Sequence, residues 1–238
     1  MRTMAMRKLH NLSFLWTNSS TQKYFCRSVL PSYQTAQFAS AGKKEKKRIR
    51  KEVEKGHFYE IKELNEHGGK VFPTDKKLRP KSILFPSIEC LSLANGESRT
   101  LPQALGPNTS LVAISYKQFG FQMFDTWIPS YLENFNNKAG HQLVYLSVVE
   151  GFMLKMFQSL LLKSMKGAIP PEFHDTSFSH FGETEELRES LGITNRLSGY
   201  LYLVDKDGFI RWRGCGRASE QELEHLMRAT EQISIKKS

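Results

Sequence analysis

Cysteine is scarce in this chain: Cys26, Cys90 and Cys215 are the only three in 238 residues. No Cys-x-x-Cys occurs, and three cysteines so far apart supply neither a disulfide framework nor a zinc knuckle. Long apolar runs are lacking too. The best stretch, residues 151–165, is broken by Lys155, Gln158 and Lys163, and it falls short of the ~20 residues that a bilayer-spanning helix needs. Acidic residues are missing from the first 40 positions altogether. There is no phosphate-binding G-x-x-x-x-G-K-[ST] or G-x-G-x-x-G loop and no Ser/His/Asp constellation. His174 and His180 stand six apart, a poor spacing for metal ligands. Asp205-x-Asp207-Gly208 lacks the further ligands of a calcium loop and reads as a turn. No cofactor is called for by any of these patterns.

What is present begins with charge. The net charge is +10, and residues 1–55 carry all of it, with 13 Lys/Arg against 3 Glu. Residues 56–238 hold 21 of each sign. A nucleic-acid protein would carry its basic footprint on the folded body, so nucleic acid is not expected as the main partner. Arg2, Arg7, Lys8, Lys23 and Arg27, many hydroxyl residues, and the apolar Leu9, Leu12, Phe14, Leu15 and Trp16 make an acid-free amphipathic start. That composition is an organelle transit peptide, expected to address the mitochondrion; composition leaves the chloroplast and an ordinary disordered tail as the alternatives. We divide the chain into a presequence (1–42), a basic linker and polar arm (43–80) and a folded domain (81–238), with presequence cleavage expected between Arg27 and Ala41. In the linker, Lys43, Lys44, Lys46, Lys47, Arg48, Arg50 and Lys51 are candidate contacts with anionic inner-membrane lipid. The competing readings are a plain solvated charge run and a contact with matrix RNA or the ribosome.

From residue 81 the pattern is globular. Residues 85–93 alternate and Asn95-Gly96 follows, a hairpin signal. Residues 111–116 and 141–149 are apolar runs of buried-strand type. Helices are expected over 122–136, where Pro129 can kink the chain, over 151–166 with Gly167 as its stop, and over 185–191 stopped by Gly192. Residues 167–181 read as a loop. Residues 200–204 and 209–213, joined by the Asp-Gly turn, form the clearest hairpin. Ser219-x-x-Glu222 is a capping box that opens a last helix. Strands alternating with helices, then a hairpin and a final helix, predict a thioredoxin-like α/β domain of peroxiredoxin type: a mixed sheet flanked by helices.

Residues 199–216, GYLYLVDKDGFIRWRGCG, resemble the end of thioredoxin and peroxiredoxin domains, and residues 84–106 resemble the opening of a peroxiredoxin-type domain. The wording of the first stretch, with Arg211, Trp212, Arg213, Gly214, Cys215 and Gly216 as its most specific part, is similar to one family, the mitochondrial F-type ATP synthase assembly factors of the ATP-ten group. Redox members of the fold need a thiolate at the N-terminus of the helix after the first central strand, where the helix dipole lowers its pKa. That place is residues 117–124, KQFGFQMF, without cysteine, and no proline precedes the next hairpin strand at Leu197-Ser198-Gly199. The redox cysteines are thus absent and an enzyme is not expected. The alternative is a thiol-dependent enzyme using Cys215, with Arg213 and Arg217 favouring its thiolate. The resemblance implies a non-catalytic chaperone on the matrix side of the inner membrane. It would be peripheral there, bind newly made ATP synthase subunit a (subunit 6), and promote that subunit's assembly with the c-ring. The segment 211–216 and the helix 151–166 are the candidate contact regions, with core packing as the competing role for the helix.

Overall fold

The structure is a computed structural model and describes residues 59–64, 66, 69–136, 138–150 and 157–235. The expected presequence (1–42) and the basic residues Lys43, Lys44, Lys46, Lys47, Arg48, Arg50 and Lys51 lie outside the described residues. Everything below belongs to one compact unit, Glu63–Ser238.

Seven strands form one mixed sheet: β1 (Ile88–Ser92), β2 (Ser98–Leu101), β3 (Thr109–Ser115), β4 (His141–Glu150), β5 (Ser177–Gly182), β6 (Gly199–Val204) and β7 (Ile210–Cys215), in the spatial order β2-β1-β5-β4-β3-β6-β7. β3, β4 and β5 run parallel, and the remaining pairings are antiparallel. Among the described residues the sheet is flanked by helices α1 (Gln118–Met123), α2 (Ile128–Phe135), α3 (Gln158–Ala168), α4 (Glu185–Leu191) and α5 (Glu220–Ile235). The β3-helix-β4 unit beside the β6-β7-α5 unit gives the thioredoxin-like fold that the element order predicts. All seven residues of β3 are buried, and its middle, residues 111–114, is the apolar run seen in the sequence.

Two cores form, one on each face of the sheet. One gathers Val112, Ile114, Tyr200, Tyr202 and Cys215 with Leu187 and Leu191 of α4. The other gathers Leu111, Ala113, Leu201, Leu203 and Trp212 with α2 and α5. The period-2 alternation along β3 and β6 sorts neighbours to opposite faces.

Three expectations need correction. The helix expected over 122–136 is two helices, α1 starting four residues earlier, with a 3-10 turn (Phe124–Thr126) before Pro129 opens α2. Proline fits the first turn of a helix, where its missing N–H costs nothing, and not an interior. Residues 177–181, expected as loop, belong to β5, an interior strand between β1 and β4. Its serines disguised it: Ser177 and Ser179 are buried, and their hydroxyls donate to Phe173 O (2.6 Å) and to Met165 Sδ (3.2 Å). Finally, α3 is described from Gln158 and runs through Gly167 to Ala168; none of its residues is buried.

The polar arm is not a linker in its second half. Residues 69–79 lie along the outer edge of β7, where Asp75 N donates to Arg213 O (3.0 Å) and Arg79 N donates to Arg211 O (2.7 Å). An uncovered edge strand invites pairing with foreign chains, and here the protein's own chain covers it. The packed body therefore begins before residue 81.

Candidate functional site

In a thioredoxin-like domain the chemistry sits at the carboxyl end of β3. Here α1 begins there after Lys117, with Gln118, an exposed Phe119 and Gly120 in its first turn. The place is closed by backbone. A Cβ on Gly120 would stand 2.5 Å from Ser198 O, and one on Gly199 would run into Gly120 O and the Phe124 ring. Only glycine permits this approach of α1 to the start of β6. Met123 Sδ then accepts from Gly199 N (3.4 Å). A methionine thioether thus meets the first backbone amide of β6.

The segment Arg211–Gly216 is β7 and its exit. Trp212 lies opposite Leu203 and Arg213 opposite Tyr202, so these two point to opposite faces, and an irregularity follows where Val204 pairs with Ile210 and passes over Arg211. Its placement differs from that of a contact surface. Arg211, Trp212, Gly214, Cys215 and Gly216 are buried, and Arg213 is half-buried. The Arg211 guanidinium donates to Asp205 Oδ2 (3.1 Å) and, through Nε, to Arg79 O (2.9 Å). Asp205 Oδ1 also accepts from Asp207 N (3.1 Å) and Phe209 N (3.0 Å), so the Asp-Gly turn, the strand and the arm share one carboxylate. A charge this deep persists only when paired and fully hydrogen-bonded. Trp212 Nε1 donates to Asp75 O (2.7 Å), and its ring meets Trp127 edge-on at 5.7 Å. Arg213 lies over Phe72, 4.4 Å from the ring centroid, and its N–H donates to Asp75 Oδ2 (3.0 Å). Gly214 leaves room for the Trp212 ring, and Gly216 for Gly69 O.

The sequence reading missed the arm side of this network. Asp75, Lys70 and Thr74 gave no signal of their own, being polar residues in a stretch rich in glycine and proline. Lys70 Nζ donates to Cys215 O (2.8 Å), Arg217 O (2.6 Å) and Glu222 Oε2 (2.8 Å), and it lies 5.2 Å from the Trp127 ring centroid. Thr74 donates to the other Glu222 oxygen (2.5 Å). The capping box is present as expected, with Ser219 N donating to Glu222 Oε2 (2.8 Å). Burial raises the Glu222 pKa, but the bonds from Lys70, Thr74 and Ser219 outweigh it and hold the carboxyl below its usual value.

Cys215 is fully buried. Its sulfur accepts from Val71 N (3.3 Å) and Phe72 N (3.4 Å), and its thiol donates to Phe72 O (3.3 Å). Burial pushes its pKa up, against the hydrogen bonds of Phe72 and Val71 and the charge of Lys70. The thiolate that the alternative reading needed is therefore disfavoured, because desolvation exceeds the help of neighbouring cations. Cys90, also buried, is pushed up to about 12 by desolvation. Neither thiol among the described residues has the exposed, electropositive setting of a nucleophile.

Several other polar groups are paired. Glu150 at the end of β4 accepts from Arg196 (3.1 Å), with Arg188 at 3.9 Å. His180 faces Glu89 O (2.7 Å) and Glu183 O (3.1 Å), and His174 faces Ile169 O (2.8 Å). Among the described residues no group of three or more His, Cys, Asp or Glu could hold a metal ion, and no helix is long and apolar enough to cross a membrane.

Comparison with known proteins gives a consistent picture. The family model described as "ATP10 protein" matches residues 16–233. The Mitochondrial ATPase complex subunit ATP10 of Candida glabrata is 26% identical over 206 residues, covering 82% of this chain and 75% of that protein. The protein of the same name from Saccharomyces cerevisiae is 22% identical over 211 residues, covering 79% and 73%. Among solved structures, a putative thiol:disulfide interchange protein DsbE from Chlorobium tepidum superposes with a TM-score of 0.43 at 14% identity, covering 65% of this chain and 97% of that one. Arabidopsis thaliana ScoI with copper bound gives 0.42 at 10% identity, covering 63% and 99%.

Proposed function

This chain belongs to the ATP10 protein family, and from that membership we propose that it is a mitochondrial assembly factor for ATP synthase that works by binding and does no chemistry. The carrying observation is the sealed carboxyl end of β3. Where a redox relative of this fold would hold its thiolate, the chain has Lys117-Gln118-Phe119-Gly120 without a cysteine, and Gly120 packs on Ser198 and Gly199. The fold alone would not give a function; the family supplies the process.

In this reading the protein sits peripherally on the matrix side of the inner membrane. It binds newly made subunit a (subunit 6) and promotes its joining to the c-ring. The physical need is plain. A very hydrophobic subunit with charges inside the membrane is costly until those charges are paired, and a holder that delays aggregation meets that need without a reaction. Within the candidate segment Arg211–Gly216 only Arg213 is not buried, which favours exposed surface elsewhere as the contact.

Pulse-labelling of mitochondrial translation products, with and without the protein, tests the reading when joined to immunoprecipitation. Newly made subunit a is expected to co-precipitate, and to persist unassembled or be degraded when the protein is missing. Normal maturation of subunit a with no co-precipitation would end the proposal. Replacing Cys215 with Ser is expected to leave respiratory growth intact, which separates binding from thiol chemistry.

A further inference from the structure

α3 departs from the other helices in two respects. The first is burial. Leu160, Leu161 and Leu162 are three successive leucines, yet no residue of the helix is buried. Leu162 and Met165 pack half-buried against the second core. At about 100° of turn per residue, Leu160 stands on the opposite side of the helix from both, and it is 56% exposed. Phe157 and Leu161 flank it, half-buried. A helix in a layered fold normally turns its apolar stripe inward; part of this stripe faces out.

The second is charge. α3 carries Lys163 and Lys166, both exposed, and no carboxylate. By contrast, α4 holds three glutamates and α5 holds four. The acids nearest in sequence, Glu150 and Glu172, lie outside the helix. An apolar side bordered by lysines and cleared of acids is the composition of a helix that lies on an anionic lipid surface.

We propose that the Leu160 side of α3 docks on anionic phospholipid and is the membrane contact of the folded domain. This rests on the inner-membrane reading above. Lipid fits better than an apolar protein segment because a dry protein groove would gain nothing from excluding acids and keeping lysines at its border.

The test is flotation of the full chain with phosphatidylcholine vesicles, with and without cardiolipin. The chain is expected to float with the cardiolipin vesicles and much less with the neutral ones. Leu160→Glu should lower partitioning tenfold or more. Lys163→Gln should lower it about fivefold, the change expected for one basic residue near an anionic surface. Lys163 is the better probe of charge, since Lys166 Nζ donates to Ala94 O (2.5 Å). The Leu160→Glu loss should persist when Lys43, Lys44, Lys46, Lys47, Arg48, Arg50 and Lys51 are all changed to Gln. A second readout uses Leu160→Cys in a Cys26→Ser chain with an environment-sensitive dye, whose emission should shift to the blue on vesicles.

Equal flotation of Leu160→Glu and the parent chain, no preference for anionic vesicles, or an unshifted dye would each overturn the proposal. So would α3 variants that still float but no longer precipitate newly made subunit a, which would make the occupant a client segment. Failure of subunit a to co-precipitate with the parent chain would remove the assembly reading while leaving the flotation result standing.

Discussion

β7 and α3 exchange the roles that their residues suggest. Arg-Trp-Arg in β7 has the composition of an interface hot spot, for arginine and tryptophan anchor binding surfaces more than other residues do. Yet Arg211 and Trp212 are buried under the arm, and their polar atoms are bonded to Asp205, Arg79 and Asp75. The leucines of α3 have the composition of core, and no residue of that helix is buried. The difference teaches that residue type indicates what a side chain can do, whereas the partner supplied from elsewhere in the chain decides what it does. β7 received an arm; among the described residues nothing buries any residue of α3.

The comparison breaks most easily at the buried ion pair. Asp205→Asn removes the charge that Arg211 needs while leaving its guanidinium at 8% exposure. Removing one partner of a buried pair costs about 3–5 kcal/mol. Chemical denaturation should show a loss of that size. A loss under about 1 kcal/mol would mean that water reaches Arg211 and that β7 is surface after all.

The arm comes next. Asp75 accepts from Arg213 N and pairs with Arg79 and Arg213. Asp75→Ala should loosen the arm by about 1.4 kcal/mol, given that charge-assisted bonds contribute about 1.5–3 kcal/mol each and solvent replaces part of them. Cys215 is bonded by the arm backbone at Val71 and Phe72, so its alkylation requires the arm to lift. In a Cys26→Ser chain, labelling of Cys215 should quicken about tenfold, while labelling of Cys90, buried on β1, stays constant. Equal quickening at both thiols would show that the two open together and that the arm has no separate stability.

A smaller effect follows from pH. Glu222 titrates lower in the folded chain than its ordinary 4.5. Its contribution is therefore fully present above that value and is lost as pH falls through it toward the lower folded value. The thermal midpoint of the parent chain should fall more steeply below pH 4.5 than that of Glu222→Gln. Parallel curves would show that Lys70 and Thr74 do not hold the charged form. On the alkaline side the raised pKa of Cys90 acts in the opposite sense: its contribution is present below the ordinary thiol value and declines as pH rises toward about 12.

Much of the fold is legible in the sequence because its signals are local. The capping box at Ser219 and Glu222, the Asp-Gly turn with Asp205 as acceptor, and the Gly192 stop of α4 each need only neighbouring residues. β3 is legible because its middle, residues 111–114, is buried on both faces and wholly apolar. β5 is not, because Ser177 and Ser179 break its apolar pattern, and no local pattern marks Ser179 as satisfied by Met165 of another element. The absent redox thiol is legible at residues 117–124; the glycine-to-backbone seal that replaces it depends on Gly120 and Gly199, 79 positions apart. The arm is invisible for the same reason: Asp75 meets β7 across more than 130 residues.

The smallest expected effect is at α3, and it is the most discriminating. Leu160→Ser removes an exposed side chain that touches no core, so the stability change should stay within about 0.5 kcal/mol. Leu162→Ala, on the half-buried side of the same helix, should cost about 1 kcal/mol or more, since it removes apolar area that the second core covers. Measured together by denaturant unfolding, the pair gives the direction in which α3 faces. Should Leu160→Ser cost as much as Leu162→Ala, the outer side of α3 would be covered within the protein. The exposed apolar stripe would then have a partner inside the chain, as Arg211 and Trp212 do.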